Sequence, residues 1–416
     1  MGSMSAITGT GMFRSLRVHD YRLWASGAIV SNVGTWMQRT TQDWIVLTRL
    51  THHDALAVGV TTALQFGPQL FLSPVTGLVA DRVPKRLLLT ITQAVMGVLG
   101  LALGLLVLTG TDTLVEVYGF ALLLGITAAF DAPARQSFVS DLVGPDDVSN
   151  AVALNSASFN LARLLGPAVA GLLTEAVGPG WVFVLNAASF AAVLTSLRFI
   201  HAPGFDVGGR PSRSFRDIGE GFTAVTRRPD LLIVFALVAL MGTFGLNFAI
   251  YASTMAVLFG QGATGYGLLS SALAVGAVTG ALLSARRPAP RFSLLVLAGA
   301  LFGVGLLLGA AAPSYLVLAI VLPLVGVAAQ TFMTTANGLV QMGVGREVRG
   351  RVMALYMATV MGGTVIGGPA VGWVANAFGP RDGLLIGAVA GVLTAIVGAV
   401  HLRRRAGAAE PALHTD

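Results

Sequence analysis

The sequence predicts an all-α membrane protein of twelve transmembrane helices, arranged as two six-helix pseudo-repeats. Composition is the first reason. Of 416 residues, 55% are hydrophobic and 11% charged, against about 25% charged in an ordinary soluble domain, and the mean hydropathy is +0.78. Run length is the second. Residues 231–285 and 292–345 hold no charged side chain, and ~20 apolar residues suffice to cross a bilayer. The third is an internal echo. Gly166-Pro167-Ala168-Val169-Ala170-Gly171 returns as Gly368-Pro369-Ala370-Val371-Gly372, and each copy runs into a Gly-Pro turn, Gly178-Pro179 and Gly379-Pro380. Small residues in such phrases let helix backbones approach closely.

Residues 1–20 read as a polar cytoplasmic tail with no cleavable signal. Spans follow at 21–47, 57–80, 87–109, 114–137, 150–177 and 181–197, which make up the first half, 21–197. A polar linker, 198–229, carries a candidate amphipathic surface helix at 214–226. The second half, 230–402, opens with two spans divided at Gly260-Gln261-Gly262 and continues with two divided near Pro313-Ser314. Spans at 352–378 and 383–402 complete it, and 403–416 is a second cytoplasmic tail.

Arginine and lysine placement sets the orientation. With both termini cytoplasmic, that side receives 22 of the 26 basic residues; Arg49 and Arg381 fall outside, and Arg39 and Arg163 within spans. This is the pattern of a multi-pass protein of the cytoplasmic (inner) membrane. The net charge of +7 is spread over short loops rather than one basic face, so it predicts no nucleic-acid partner. No cysteine is present, and the histidines lack the neighbouring ligands of a metal site. The single lysine, Lys85, stands in no phosphate-binding loop, so an ATPase within this chain is excluded.

Ionisable residues inside a membrane are functional candidates by default. Arg163 sits near the middle of the fifth span. It is a permanent charge, suited either to pairing with Asp43 or with Asn155 and Asn160, or to attracting an anionic substrate. Asp43 and Arg39 lie one turn apart on the first span, about six residues below its outer end. A carboxylate at that depth is a candidate proton carrier. Asp131 and Arg135 repeat the spacing on the cytoplasmic third of the fourth span, where a gate or an inter-helix tie is expected and Pro133 is expected to bend the helix. Glu116 and Glu175 fall at outer interfaces. The second half offers no ionisable partner within its spans except tyrosine hydroxyls. Its Phe244, Asn247, Tyr251, Gln330, Phe332, Met333, Asn337, Met357 and Met361 suit an adaptable amphiphile pocket, to which the first half adds Asn32, Trp36, Gln65, Phe66, Asn155 and Asn160.

The loop after the second span reads Gly77-Leu78-Val79-Ala80-Asp81-Arg82-Val83-Pro84-Lys85-Arg86. It resembles the G-x-L-x-D-R-x-x-[KR]-R signature of the major facilitator superfamily, with Pro84 where that signature usually has glycine. The Gly166, Pro167 and Gly171 phrase resembles the superfamily's antiporter motif. Gln38-Arg39-Thr40-Thr41-Gln42-Asp43-Trp44, Asp131-Ala132-Pro133-Ala134-Arg135-Gln136 and Ala153-Leu154-Asn155-Ser156 are similar to the branch of siderophore exporters and macrolide- or tetracycline-type efflux pumps. The resemblance spans nearly the whole chain. It implies that Asp81, with Arg82 and Arg86 beside it, closes the cytoplasmic side against the start of the eleventh span near Arg351.

The expected activity is proton-driven export of small amphiphilic molecules, as in multidrug efflux, with no enzyme chemistry and no cofactor beyond the proton gradient. The alternative is a dedicated exporter of an anionic natural product such as a siderophore, and a more distant one is a membrane sensor that does not transport. The expected partners are the small-molecule substrate, protons and the bilayer, around a monomer.

Overall fold

The computed structural model describes residues 11–201 and 222–409, and their regular structure is helical throughout. In the first half the helices are α1 (His19–Ile45), α2 (Ala55–Arg82), α3 (Lys85–Thr109), α4 (Leu114–Asp141), α5 (Val148–Val177) and α6 (Pro179–Phe199). The second half has α7 (Pro229–Leu240), α8 (Phe248–Leu258), α9 (Ala263–Ala285), α10 (Phe292–Ala310), α11 (Tyr315–Met342), α12 (Arg346–Phe378) and α13 (Pro380–Ala409). Ten helical stretches among the described residues are long and apolar enough to cross a membrane, with α7 and α8 forming one of them. The two spans outside that ten are α1 and α5, which carry Arg39, Asp43 and Arg163 yet match the others in length. The fold is the twelve-span, two-half architecture that the sequence predicts.

Local chemistry explains where the helices begin and end. Asp54 caps α2 by accepting from the Ala57 amide, and Thr113 with Glu116 forms a reciprocal capping box on α4, satisfying amides that a helix start leaves open. Glu116 thus has a structural task at its interface. Both Gly-Pro turns work alike. Gly178 and Gly379 take φ values of 90° and 117°, a region costly for any residue with a Cβ, and the following proline opens α6 and α13. Of the predicted linker helix at 214–226, residues 222–226 are helical; the rest lies outside the described residues.

One expectation is corrected. The first span of the second half is not one helix. A π-turn at Met241–Gly245 interrupts it, and α8 starts only at Phe248. Asn247 donates to the Thr243 carbonyl at 2.7 Å and the Tyr251 hydroxyl donates to the Phe244 carbonyl, supplying partners where the ladder fails. Gly363 and Gly367 of α12 leave room for the break: a Cβ on Gly367 would stand 1.7 Å from the Thr243 oxygen. Pro133 lies inside α4, which runs as one helix from Leu114 to Asp141.

The halves repeat one packing scheme. In the first, α3 lies on α6 and α2 on α4; in the second, α10 lies on α13 and α9 on α11. They meet along two seams related by the same pseudo-symmetry, α2 against α12 and α5 against α9. The two ends of the bundle are called outer and cytoplasmic after the arginine distribution.

Candidate functional site

The seams are tight at the outer end. A Cβ on Gly59 would stand 2.2 Å from the Gly368 carbonyl oxygen, and one on Gly372 would stand 2.4 Å from that of Ala55. On the other seam, Gly171 meets Ala263 and Thr264, and Gly267 meets Pro167. The repeated phrase therefore makes backbone-on-backbone contact in both copies. Polar clasps lie beyond the glycines. Asn376 donates to Asp54 at 2.5 Å and accepts from the Ala55 amide at 2.7 Å. Glu175 accepts from the Thr264 amide at 3.0 Å and its hydroxyl at 2.8 Å. Glu175, read from sequence as interfacial, joins the two halves at the start of α9.

Toward the cytoplasm the α2–α12 seam loosens. Its glycines pass from ordinary contact, Gly67 near Val365 and Gly362 near Leu70, to open space around Gly77, Gly345 and Gly350. Asp81 and Arg82 are exposed, and Asp81 makes no hydrogen bond or ion pair among the described residues. Arg86 donates to the Arg198 carbonyl at 3.3 Å, and Lys85 pairs with Asp141 at 2.6 Å. The outer end is sealed along both seams, and the α2–α12 seam is parted at the end called cytoplasmic.

Asp43 is buried at the sealed end, 5% exposed. Its Oδ2 accepts from the Tyr266 hydroxyl of α9 at 3.4 Å, Trp44 stacks on the Tyr266 ring, and its Oδ1 has no partner. Arg39 forms no ion pair with Asp43 among the described residues. Its guanidinium lies 4.5 Å from the Phe66 ring centre and 5.5 Å from that of Trp36. The two residues share a face of α1 without a direct ion pair.

Arg163 does not pair with Asp43 either, and register is the reason. A Cβ on Gly166 would touch that of Trp36, and Thr41 bonds Thr174, so α1 and α5 run side by side with an offset near 130 residues. Arg163 is level with about residue 33 of α1. It stands roughly ten residues below Asp43, or ~15 Å at the helical rise, beyond the combined reach of the two side chains. Asn160 donates instead to the Ser156 carbonyl at 2.9 Å, and no bond joins Arg163 to it or to Asn155. At about 100° per residue, Arg163 lies opposite the exposed Leu161, Leu165 and Leu172. It falls between the face that meets α1 (Gly166) and the face that meets α9 (Pro167, Gly171). That direction is the axis between the halves. Just above it, Ser271 bonds the Leu164 carbonyl at 2.7 Å.

Asp131 is a tie, as its sequence position suggests. Its Oδ1 accepts from Thr92 and Gln93, each at 2.8 Å, and its Oδ2 pairs with Arg135 at 2.8 Å. Arg135 also lies over the Trp24 ring. The network holds α1, α3 and α4 together.

Residues 10–414 match the family described as transmembrane secretion effector. The chain belongs to that family. Among its relatives, the staphyloferrin A transporter of Staphylococcus aureus (strain NCTC 8325 / PS 47) is 26% identical over 80% of this chain and 84% of the relative. The enterobactin exporter EntS of Escherichia coli O127:H6 is 26% identical over 85% of each chain. A D-xylose-proton symporter shares the fold at a TM-score of 0.72 and 15% identity, covering 93% of this chain and 97% of its own. The nucleoside transporter NupG does so at 0.69 and 14%, covering 92% and 98%. The chain is a multi-pass transporter of the major facilitator type, with siderophore exporters and transporters among its relatives.

The expected substrate residues divide into two groups. Asn155, Asn160, Trp36, Phe66, Phe244, Gln330, Met333, Asn337, Met357 and Met361 keep partial or full exposure, although Asn337 is held by Gln341 at 2.7 Å. Asn32, Gln65, Asn247, Tyr251 and Phe332 are buried. Gln65 turns into the first half, where it donates to Gln42 at 3.4 Å; Asn247 and Tyr251 secure the helix break; Phe332 is core. Sequence reasoning missed Tyr266, Asn376 and Thr264. Each is an ordinary polar residue in an apolar run, and its partner lies in the other half, more than 80 positions away.

Proposed function

We propose that this protein is a proton-coupled exporter of an anionic, siderophore-type natural product. Arg163 carries the reading. It is a permanent cation on the axis between the halves, and none of the described hydrogen bonds or ion pairs engages it. The opposite wall, built from the second half, brings no charge of either sign from its spans. A cavity with one uncompensated cation attracts anions, and desolvating that cation without a partner is costly. The names of the relatives support the same choice over general amphiphile efflux.

Coupling belongs to Asp43. A proton arriving from outside neutralises it while the outer end is open, and the neutral acid then costs less to bury when that end closes against Tyr266. The setting is the inner membrane with both termini cytoplasmic, and the partners are substrate, protons and lipid around a monomer.

The test is pH-gradient-driven uptake of iron-free enterobactin and of a cationic dye into inside-out proteoliposomes. The chelator should accumulate and Arg163→Gln should abolish its binding. Dye transport that survives Arg163→Gln, with no chelator transport by the unaltered protein, would restore the multidrug reading.

A further inference from the structure

We propose that the interior of the first half holds a small inorganic anion of the chloride class, bound apart from the substrate cavity. The observation is a small, partly open cavity of about 30 Å³ lined by α1, α2, α3, α4 and α6, roomy enough for one small ion. Its polar wall consists of Thr35, Gln38, Arg39, Gln42, Gln65 and Asn186.

Donors outnumber acceptors on that wall. Each side-chain amide has two N–H donors and one oxygen. The Gln38 oxygen accepts from Asn186 at 2.5 Å, the Gln42 oxygen from Gln65 at 3.4 Å, and the Asn186 oxygen from Ser189 at 3.0 Å. Three of the four amide oxygens are engaged, and the Gln38 amide keeps a donor without a partner. Gln38 is 2% exposed and its Nε2 has no partner, a loss that costs about 1–3 kcal/mol unless something accepts from it.

Arg39 adds a full charge to the same wall. Stacking on Phe66 and Trp36 offers about 0.5–2 kcal/mol, less than the several kcal/mol needed to bury an ion alone. Asp43, one turn along α1, attracts Arg39 through space without an ion pair, so the charge is only partly offset, and neither Asp43 nor Asp131 lines the cavity. Asp43 is engaged by Tyr266 of the other half, and Asp131 by Thr92, Gln93 and Arg135. Water would satisfy the amides but leave the charge; a halide does both. The surplus of donors and the cation exclude a metal ion. The enclosure within one half excludes a siderophore-sized ligand.

The experiment uses the purified full-length transporter in detergent at constant ionic strength, with chloride replacing gluconate stepwise. Thermal unfolding is followed, and crystals grown in bromide are examined for anomalous scattering. The expected result is saturable stabilisation by chloride and bromide, with a bromide peak beside Gln38 and Arg39. Gln38→Leu should weaken the halide response at least tenfold, and Arg163→Gln should leave it unchanged. That second variant separates this site from the proposed substrate site, so either proposal can fail alone. The proposal is overturned if the halide effect is absent or unsaturable, if the response is lost in Arg163→Gln instead, or if the bromide peak lies elsewhere. The bromide peak in the unaltered protein decides the matter even where Gln38→Leu does not fold.

Discussion

The hydroxyl of Tyr266 reaches Oδ2 of Asp43 at 3.4 Å across the seam between the two halves. One partner is a carboxylate buried in α1 and the other a phenol in an otherwise apolar stretch of α9. The bond can exist only while the outer end is closed.

Removing this bond should therefore shift the conformational balance rather than unfold the protein. At so long a distance it contributes about 1 kcal/mol, or roughly a fivefold change in population. Tyr266→Phe should raise the outward-open fraction by that factor, measured by distances between spin labels on the outer ends of α5 and α9. An unchanged distribution would remove Tyr266 from the latch.

Asp43→Asn and Asp131→Asn should fail differently. The first should keep substrate binding and downhill exchange, and lose uphill transport driven by a pH gradient. The second leaves Arg135 buried without its counter-charge, and should cost about 3 kcal/mol of stability, seen as a lower melting temperature. Retained uphill transport in Asp43→Asn, with coupling lost in Asp131→Asn, would move the proton carrier to the fourth span.

The glycine seam gives a steric test with its own control. Gly59→Val places atoms against the Gly368 backbone, whereas the nearest neighbour of a Cβ on Gly67 is 3.8 Å away. Gly59→Val should trap the protein open to the outside, scored by labelling of a cysteine introduced deep in the cavity. Gly67→Ala should behave as the parent does. Equal labelling of all three would show that the seam tolerates bulk.

Asp81 is exposed here, so its proposed gate contact belongs to the opposite state. Asp81→Asn should leave thermal stability in the form with Asp81 exposed within about 0.5 kcal/mol and still cut transport strongly. Normal export by this variant would end the gating proposal.

The architecture was legible because bilayer thickness and charge exclusion write directly into run length. The Gly-Pro phrases could be read as packing motifs because close backbone approach admits few residue types. Side-chain partnerships were harder. Arg163 and Asp43 are both charges in spans, and only the offset of α1 against α5 reveals that they stand too far apart to meet. Gln65 has the composition of a pocket residue, yet its face of α2 turns inward. The break before Phe248 carries no proline, and the glycines that leave room for it, Gly363 and Gly367, lie more than a hundred residues downstream.

The backbone contacts at Gly59, Gly171, Gly267, Gly368 and Gly372 also bear on how often the outer end can open and shut. A long side chain immobilised at a closing interface loses up to ~2 kcal/mol of rotamer freedom, and glycine loses none. These five positions have no rotamers to freeze at closure and none to reorder before the next opening, unlike the Asn376, Glu175 and Tyr266 contacts beside them. At the glycines the movement is that of two rigid surfaces meeting, so repeated cycles carry no side-chain ordering cost at these five positions. The slow, temperature-sensitive part of the cycle is then expected at the cytoplasmic end, where Asp81 and its arginines must be gathered from solvent into a single arrangement each time that end closes.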